Sequence, residues 1–236
     1  MFKIKIAGIN VLVHNKYAYS EFLCKDYFTF EKQTDFEVFA TEADIESEMK
    51  NSEISVTPEY AESVCIHRAI AERLAEFDAL LLHSALIECD GVGVAFAARS
   101  GVGKSTHVSI WKKVFENRVR VINGDKPILR LVDGRFLAYG TPWLGKEGDG
   151  ENSFCEFKAL CFLERGLENK ISSISPDIAA MLMFTQIYLP QNGENAAKTL
   201  ELSDKLASQI SFYKLACNMN VDAAIVSYNA IIKKEV

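Results

Sequence analysis

Apolar and polar residues alternate from residue 2 to 13 (Phe-Lys-Ile-Lys-Ile at its start), which predicts β-structure with Gly8 and Asn10 at a turn. Further short strands are expected at 28–30 and 36–40. The acidic stretch 42–50 reads as a surface loop or a short helix. Thr57-Pro58-Glu59 then supplies a capping hydroxyl, a proline for the first turn and an acid. Behind it Tyr60, Val64, Ile66, Ile70 and Leu74 recur at helical spacing to about Phe77. Residues 79–87 read as one β run with His83 in its middle. Asp90-Gly91 turns it into a second strand at 92–97.

The pattern then changes period. Residues 106–115 are predicted helical, Val119-Arg120-Val121-Ile122 a strand, and 128–132 and 135–139 a hairpin about Asp133-Gly134. An apolar strand at 157–163 follows. Ser175-Pro176-Asp177 opens a helix to about Tyr188, stopped by Pro190. A long helix is expected over 195–217 and a last one over 221–233. Together these give an α/β chain: a small β-rich N-terminal domain (1–75) and a larger domain (76–236).

With 236 residues, 49% of them apolar, a full core can be buried. The net charge of −6 comes from interspersed acids and bases, so nucleic-acid and membrane partners are not expected. No apolar run is long enough to span a bilayer, and the N-terminus reads as a strand, not a signal peptide. Cys24, Cys65, Cys89, Cys155, Cys161 and Cys217 form no Cys-x-x-Cys pair. They read as reduced core thiols of a cytoplasmic protein.

The chemistry concentrates between the strand at 92–97 and the helix after it. Ala98-Arg99-Ser100-Gly101-Val102-Gly103-Lys104-Ser105 has the strand, glycine loop, helix order of a phosphate-binding loop. Gly101 and Gly103 let the backbone turn its N–H groups toward phosphate oxygens. Ser100, Val102 and Thr106 complete the cradle, Lys104 reaches the outer phosphates, and Ser105 offers a hydroxyl to Mg²⁺. Ala98 stands where the strict pattern has glycine, which is tolerable if its φ stays negative. Asp125, ending the next strand in Asn123-Gly124-Asp125, suits a metal-side carboxylate; Gly-Asp-Lys-Pro is also good turn chemistry.

Other candidates are weaker. The run from Gly140 to Gly150, with Trp143 and Lys146, reads equally as a binding loop and as an ordinary connection. His67 reads as a surface or packing residue and His107 as a partly exposed helix residue. The role of Arg99 is open.

Three stretches carry a family likeness: Leu82-His83-Ser84-Ala85, Gly101-Val102-Gly103-Lys104-Ser105-Thr106, and Ile122-Asn123-Gly124-Asp125. Over 80–139 the chain resembles the HPr kinase/phosphorylase catalytic domain. More distantly it resembles the nucleotide domain of ATP-dependent phosphoenolpyruvate carboxykinase. The likeness is looser through Gly-Thr-Pro-Trp-Leu-Gly-Lys and the C-terminal helices, and the first 75 residues resemble the small leading domain of stand-alone relatives.

The resemblance implies a P-loop kinase domain with a mixed sheet. It implies ATP and Mg²⁺ as cofactors, and transfer to a serine or threonine hydroxyl of a protein, peptide or small molecule. A homo-oligomer is allowed for. Lys104 would hold phosphates, Ser105 and Asp125 the metal, and His83 would sit beside the reacting phosphate. Asp125 matches the second of two adjacent family acids; Gly124 replaces the first and Thr106 replaces a glutamate. Either one carboxylate does the work of two, or Asp149 or Glu151 stands in. A nucleotide-binding regulatory module without transfer is the alternative. A carboxykinase ranks last, and the guanine motif Asn-Lys-x-Asp is absent.

Overall fold

The computed structural model describes residues 1–99 and 101–235, with side chains through Lys233. The alternating N-terminal pattern becomes a hairpin of β1 (Phe2–Ile6) and β2 (Ile9–His14), whose Ile4, Ile6, Val11 and Val13 face inward. Its turn is Ala7-Gly8, both at positive φ (49° and 76°), the pairing that a two-residue hairpin requires. Asn10, expected in the turn, is instead a buried strand residue.

α1 (Ala18–Leu23) precedes β3 (Phe36–Phe39), which runs parallel to β2 and completes a three-stranded sheet. The expected strand at 28–30 does not form. Lys3 Nζ donates to the carbonyls of Glu31, Lys32 and Gln33 at 3.0–3.2 Å, so the segment curls about an ammonium and leaves Phe30 fully exposed. The acidic stretch is α2 (Glu42–Asn51), begun by a reciprocal Thr41–Asp44 capping box. α3 (Pro58–Arg73) starts where the capping residues predict, with Thr57 accepting from the Tyr60 N–H.

The expected run 79–87 is two strands. β4 (Ala79–Leu81) pairs with β8, and β5 (Ala85–Cys89) pairs with β6 and β7. These partners are β6 (Val92–Ala97), β7 (Val119–Asn123) and β8 (Ile128–Val132). Between β4 and β5 the N–H groups of Leu82, His83 and Ser84 go to Pro127, Gln186 and Asp125 carbonyls in turn, so the ladder is broken there. α4 (Lys104–Phe115) follows β6, and β9 (Arg135–Tyr139) closes the second hairpin as predicted.

β10 (Phe154–Arg165) is the longest strand and makes the sheet curl. Its start pairs with β9, and the rest lies parallel to both β6 and β12. After β11 (Lys170–Ser173) come α5 (Pro176–Phe184), α6 (Gly193–Ala207), β12 (Ser211–Cys217) and α7 (Asp222–Glu235). The single helix expected over 195–217 is therefore a helix and a strand. Phe212, Tyr213 and Leu215 are buried in the sheet because β10 and β11 offer ladder partners on both sides. α5 ends four residues before 188, and β11 was not foreseen.

Among the described residues the result is a mixed α/β structure: a three-stranded sheet and a curled nine-stranded sheet. One face of the large sheet packs on α5 and α6 through Ala179, Met183, Leu202 and Leu206. The opposite face packs on α4 and α7 through Val108, Trp111, Ala224 and Ile231. The small sheet and α3 share a third cluster with Ala79, Leu81 and Ile128 at the β4–β8 edge.

His107 belongs to this packing and is 2% exposed, contrary to the sequence reading. Its ring lies edge-on to Phe96, and Trp111 Nε1 donates to its Nε2 at 3.0 Å. Burial pulls its pKa down from 6.5 to about 4. The unfolded chain therefore binds the extra proton between pH 6.5 and 4 while the native state does not. Stability is full above that window and falls as pH drops through it, by about 3 kcal/mol for this group. Urea unfolding of the wild type and His107→Gln across pH 7.5 to 4 checks this. The variant is expected to lose a correspondingly large part of the pH dependence; equal slopes would refute the assignment.

The six cysteines form no disulfide. Burial pushes the thiols of Cys24, Cys89 and Cys155 up to about 12. No described helix is long and apolar enough to cross a membrane.

Candidate active site

β6 ends at Ala97, and a loop over 98–103 delivers the chain to α4. Gly101 (φ 77°) and Gly103 (φ 126°) occupy backbone conformations that L side chains rarely adopt, and Ala98 is not among the positive-φ residues. Val102 N–H donates to the Arg99 carbonyl, which bends the loop, and His107 N–H to the Gly103 carbonyl, which begins the helix. Gly103 supplies no side-chain cap, and the first turn of α4 has no acid. The leading N–H groups of α4 thus lack a capping side chain, beside exposed Ser105 and Thr106. Ser100 lies outside the described residues.

Asp125 follows β7 and is fixed by a buried polar bracket. Asn123 Oδ1 accepts from the N–H groups of Asp125 (2.9 Å) and Lys126 (2.6 Å). Its Nδ2 donates to the Thr141 carbonyl and hydroxyl oxygens at 3.1 and 3.0 Å. The Thr141 hydroxyl in turn donates to the Lys126 carbonyl at 2.8 Å. Asn123 and Thr141 are both fully buried, so the two bonds between them act away from water, while those to Asp125 and Lys126 are part-buried. Their positioning role was not read from the sequence, although Asn-Gly-Asp is an Asx-turn signature.

The loop over 140–150 lies on this turn. A Cβ on Gly124 would stand 2.7 Å from the Leu144 carbonyl oxygen and 3.0 Å from that of Asp149. Gly124 therefore holds a place that backbone has already filled, and no acid fits there without moving the loop. A Cβ on Gly145 would fall 2.9 Å from that of Asp125. Trp143 pins the loop to α3, donating to the Ser63 carbonyl at 3.2 Å and stacking on His67 at 4.5 Å. His67 is a packing residue with a buried, unpartnered Nε2. Burial, then the charge of Lys126, holds its pKa near 3. Lys146 is exposed at the loop tip.

At the break between β4 and β5, the His83 side chain meets both other elements. Its Nε2 lies 3.1 Å from Asp125 Oδ1 and 3.1 Å from Lys104 Nζ. Lys104 Nζ also donates to the Ala98 carbonyl at 3.3 Å. Lys126, missed in the sequence, pairs with Asp125 Oδ2 at 2.5 Å. The structure thus brings His83, Lys104 and Asp125 together from three separate elements. One ring nitrogen cannot donate to Asp125 and accept from Lys104 at once, so His83 has two alternative partners.

Burial works to raise the Asp125 carboxyl, but the His83 hydrogen bond and the Lys126 charge outweigh it and hold the group well below the carboxylate range. Burial lowers Lys104, partly offset by the Asp125 charge. Asp149 and Glu151 do not join the cluster. Asp149 pairs with Lys112 at 2.9 Å, and Glu151 with Arg120 at 2.9 Å.

Among the described residues no three His, Cys, Asp or Glu side chains gather as a metal cage. A magnesium site does not require one, since that ion keeps waters and phosphate oxygens and takes one or two protein oxygens. An ionised Asp125 and the exposed Ser105 hydroxyl are hard donors of that kind.

No protein-family model and no curated protein sequence matches the chain. Among solved structures, the HPr(Ser) kinase/phosphatase from Coxiella burnetii is similar over 66% of this chain and 92% of that chain, at 10% identity and a TM-score of 0.39. A likeness of that grade assigns neither an activity nor residue roles.

Proposed function

We propose that the protein is an ATP- and magnesium-dependent kinase that transfers the γ-phosphate to a serine or threonine hydroxyl of a protein, peptide or small molecule. The observation that carries this is the convergence of Lys104, His83 and Asp125 beside an uncapped, glycine-lined helix start. Phosphoryl transfer asks chiefly for positioning and charge neutralisation. The 98–103 backbone and the first N–H groups of α4 hold the phosphates, and Lys104 exchanges the Ala98 carbonyl and His83 for phosphate oxygens. Ser105 and Asp125 would hold Mg²⁺, which when bound would supply neutralisation of phosphate charge.

As the acceptor oxygen bonds to phosphorus, the bond to the ADP oxygen breaks and the acceptor proton leaves to Asp125 or, through it, to His83. Held so far below neutrality, Asp125 orients the hydroxyl more than it strips it. His83 Nε2, freed from Lys104, stays within hydrogen-bond reach of Asp125 Oδ1.

One observation favours a second reading, a nucleotide-binding regulatory module without transfer: Gly124 carries no carboxylate and has no room for one. Calorimetry with ATP, with and without Mg²⁺, tests what both readings share. Wild type is expected to bind in a magnesium-dependent way, and Lys104→Ala to bind about 100-fold more weakly. Unchanged affinity in the variant would overturn the loop assignment. Transfer of labelled γ-phosphate to a hydroxyl acceptor separates kinase from module.

A further inference from the structure

Arg165 lies two residues past the strand expected at 157–163. It is the last residue of β10, which runs parallel to β6, so both strands deliver their C-terminal ends to the same edge of the sheet. From there Arg165 Nη2 donates to the Gly101 carbonyl at 2.6 Å. This is a long-range contact onto the 98–103 loop from a different strand.

Its charge is unanswered. Arg68, Arg73, Arg118, Arg120 and Arg135 each pair with a carboxylate. Arg130 is half-buried and donates to the Phe77 and Ala7 carbonyls, where it ties the small sheet to β8. Three guanidinium groups have no acid partner among the described residues: Arg130, which is held by those carbonyls at the small sheet, and Arg99 and Arg165, which both flank the 98–103 loop. The acid next to Arg165 is taken: Glu164 pairs with Lys214 across β12 at 2.8 Å. In a chain of net charge −6, two arginines without an acid, one on a glycine loop and one reaching it from the next strand, mark a place for an anion.

We infer that Arg165 is a phosphate-binding residue that contacts the terminal phosphate of the bound nucleotide. The inference rests on the kinase or nucleotide-module reading above and extends it. The N–H groups at the head of α4 serve the inner phosphates; Gly101, upstream in the loop, borders the outer end. One donor of the guanidinium stays on the Gly101 carbonyl and sets its angle, and the remaining N–H groups face the anion. A planar fork suits phosphate oxygens better than an ammonium does.

The test compares ATP with ADP. Arg165 is exposed, so Arg165→Gln and Arg165→Lys are expected to fold with unchanged melting temperature. Titrated with Mg²⁺ present, Arg165→Gln should weaken ATP by about tenfold or more and ADP by less than about twofold, with Arg165→Lys between. A group that merely braces the loop would weaken both nucleotides alike. Equal losses, or an unchanged ATP affinity in Arg165→Gln while wild type binds ATP, would overturn the assignment and leave the nucleotide reading standing. A wild type that binds neither nucleotide would remove both.

Discussion

Asp125→Asn is expected to cut γ-phosphate transfer by about 10²-fold, the loss that follows when the acceptor hydroxyl is no longer held in its reactive position. The substitution keeps the side-chain shape, and the backbone N–H of residue 125 keeps its bond to Asn123. What disappears is the anion that answers Lys126 and His83, and that in the proposed reaction would offer an oxygen to the metal and the acceptor. Lys126, then left without its carboxylate, can turn toward phosphate, so ATP affinity is expected to hold within a few-fold. The kcat should carry the loss. Because the native carboxyl lies below its unfolded value, it stabilises the fold at neutral pH. That contribution is lost as pH falls from the unfolded value through the native one, and Asp125→Asn should abolish this acid-side component. Single-turnover transfer at saturating ATP is the decisive measurement. Full transfer by the variant would remove Asp125 from the chemistry.

The parts of this site that were legible in the sequence are those built from local backbone rules. Gly101 and Gly103 announce a loop only they can form, Thr57-Pro58 a helix start, and Asp133-Gly134 a hairpin. The parts that were not legible depend on which strand lies beside which. Residues 79–87 look like one strand because every residue is apolar or small except His83. The break at 82–84 exists because three separate carbonyls claim those N–H groups. That break is also what turns His83 out of a sheet and toward Asp125 and Lys104. Residues 211–217 were misassigned for a similar reason, since the ladder partners on both sides are distant in sequence. Arg165 and Lys126 become informative only through their neighbours: one by lacking an acid, the other by having Asp125.

Gly124 shows how a departure from a motif acquires a physical cause. From the sequence it is a missing carboxylate. In the structure it is the contact point of the 140–150 loop, with two carbonyl oxygens at or within 3.0 Å of where a Cβ would be. Placing Asp there would displace the segment that Trp143 fastens to α3. The single-carboxylate arrangement and the closed loop are thus one feature.

Glu62→Ala is expected to destabilise the protein by about 3–5 kcal/mol, because its carboxylate is 1% exposed and is answered by donors alone. It accepts from the N–H groups of Lys16 (2.5 Å) and Tyr17 (3.2 Å) and from the Ser20 hydroxyl (3.0 Å), serving in place of the local cap that α1 lacks. Removing it strands these donors in the contact between α1 and α3. For a chain of this size the loss corresponds to roughly a 10 °C fall in melting temperature. Glu62→Gln keeps the shape but turns an amide donor toward other donors, so it should recover only part. If the alanine variant is too unstable to purify, the glutamine variant still measures the effect by urea unfolding. A change below about 1 kcal/mol in both would mean that the buried acid is not what holds α1. Its neighbour Ser63 carries the carbonyl that receives Trp143. Loosening α3 at Glu62 should therefore also free the loop over Gly124, and faster amide exchange across 140–150 in Glu62→Gln would show that the small sheet and the site share one support.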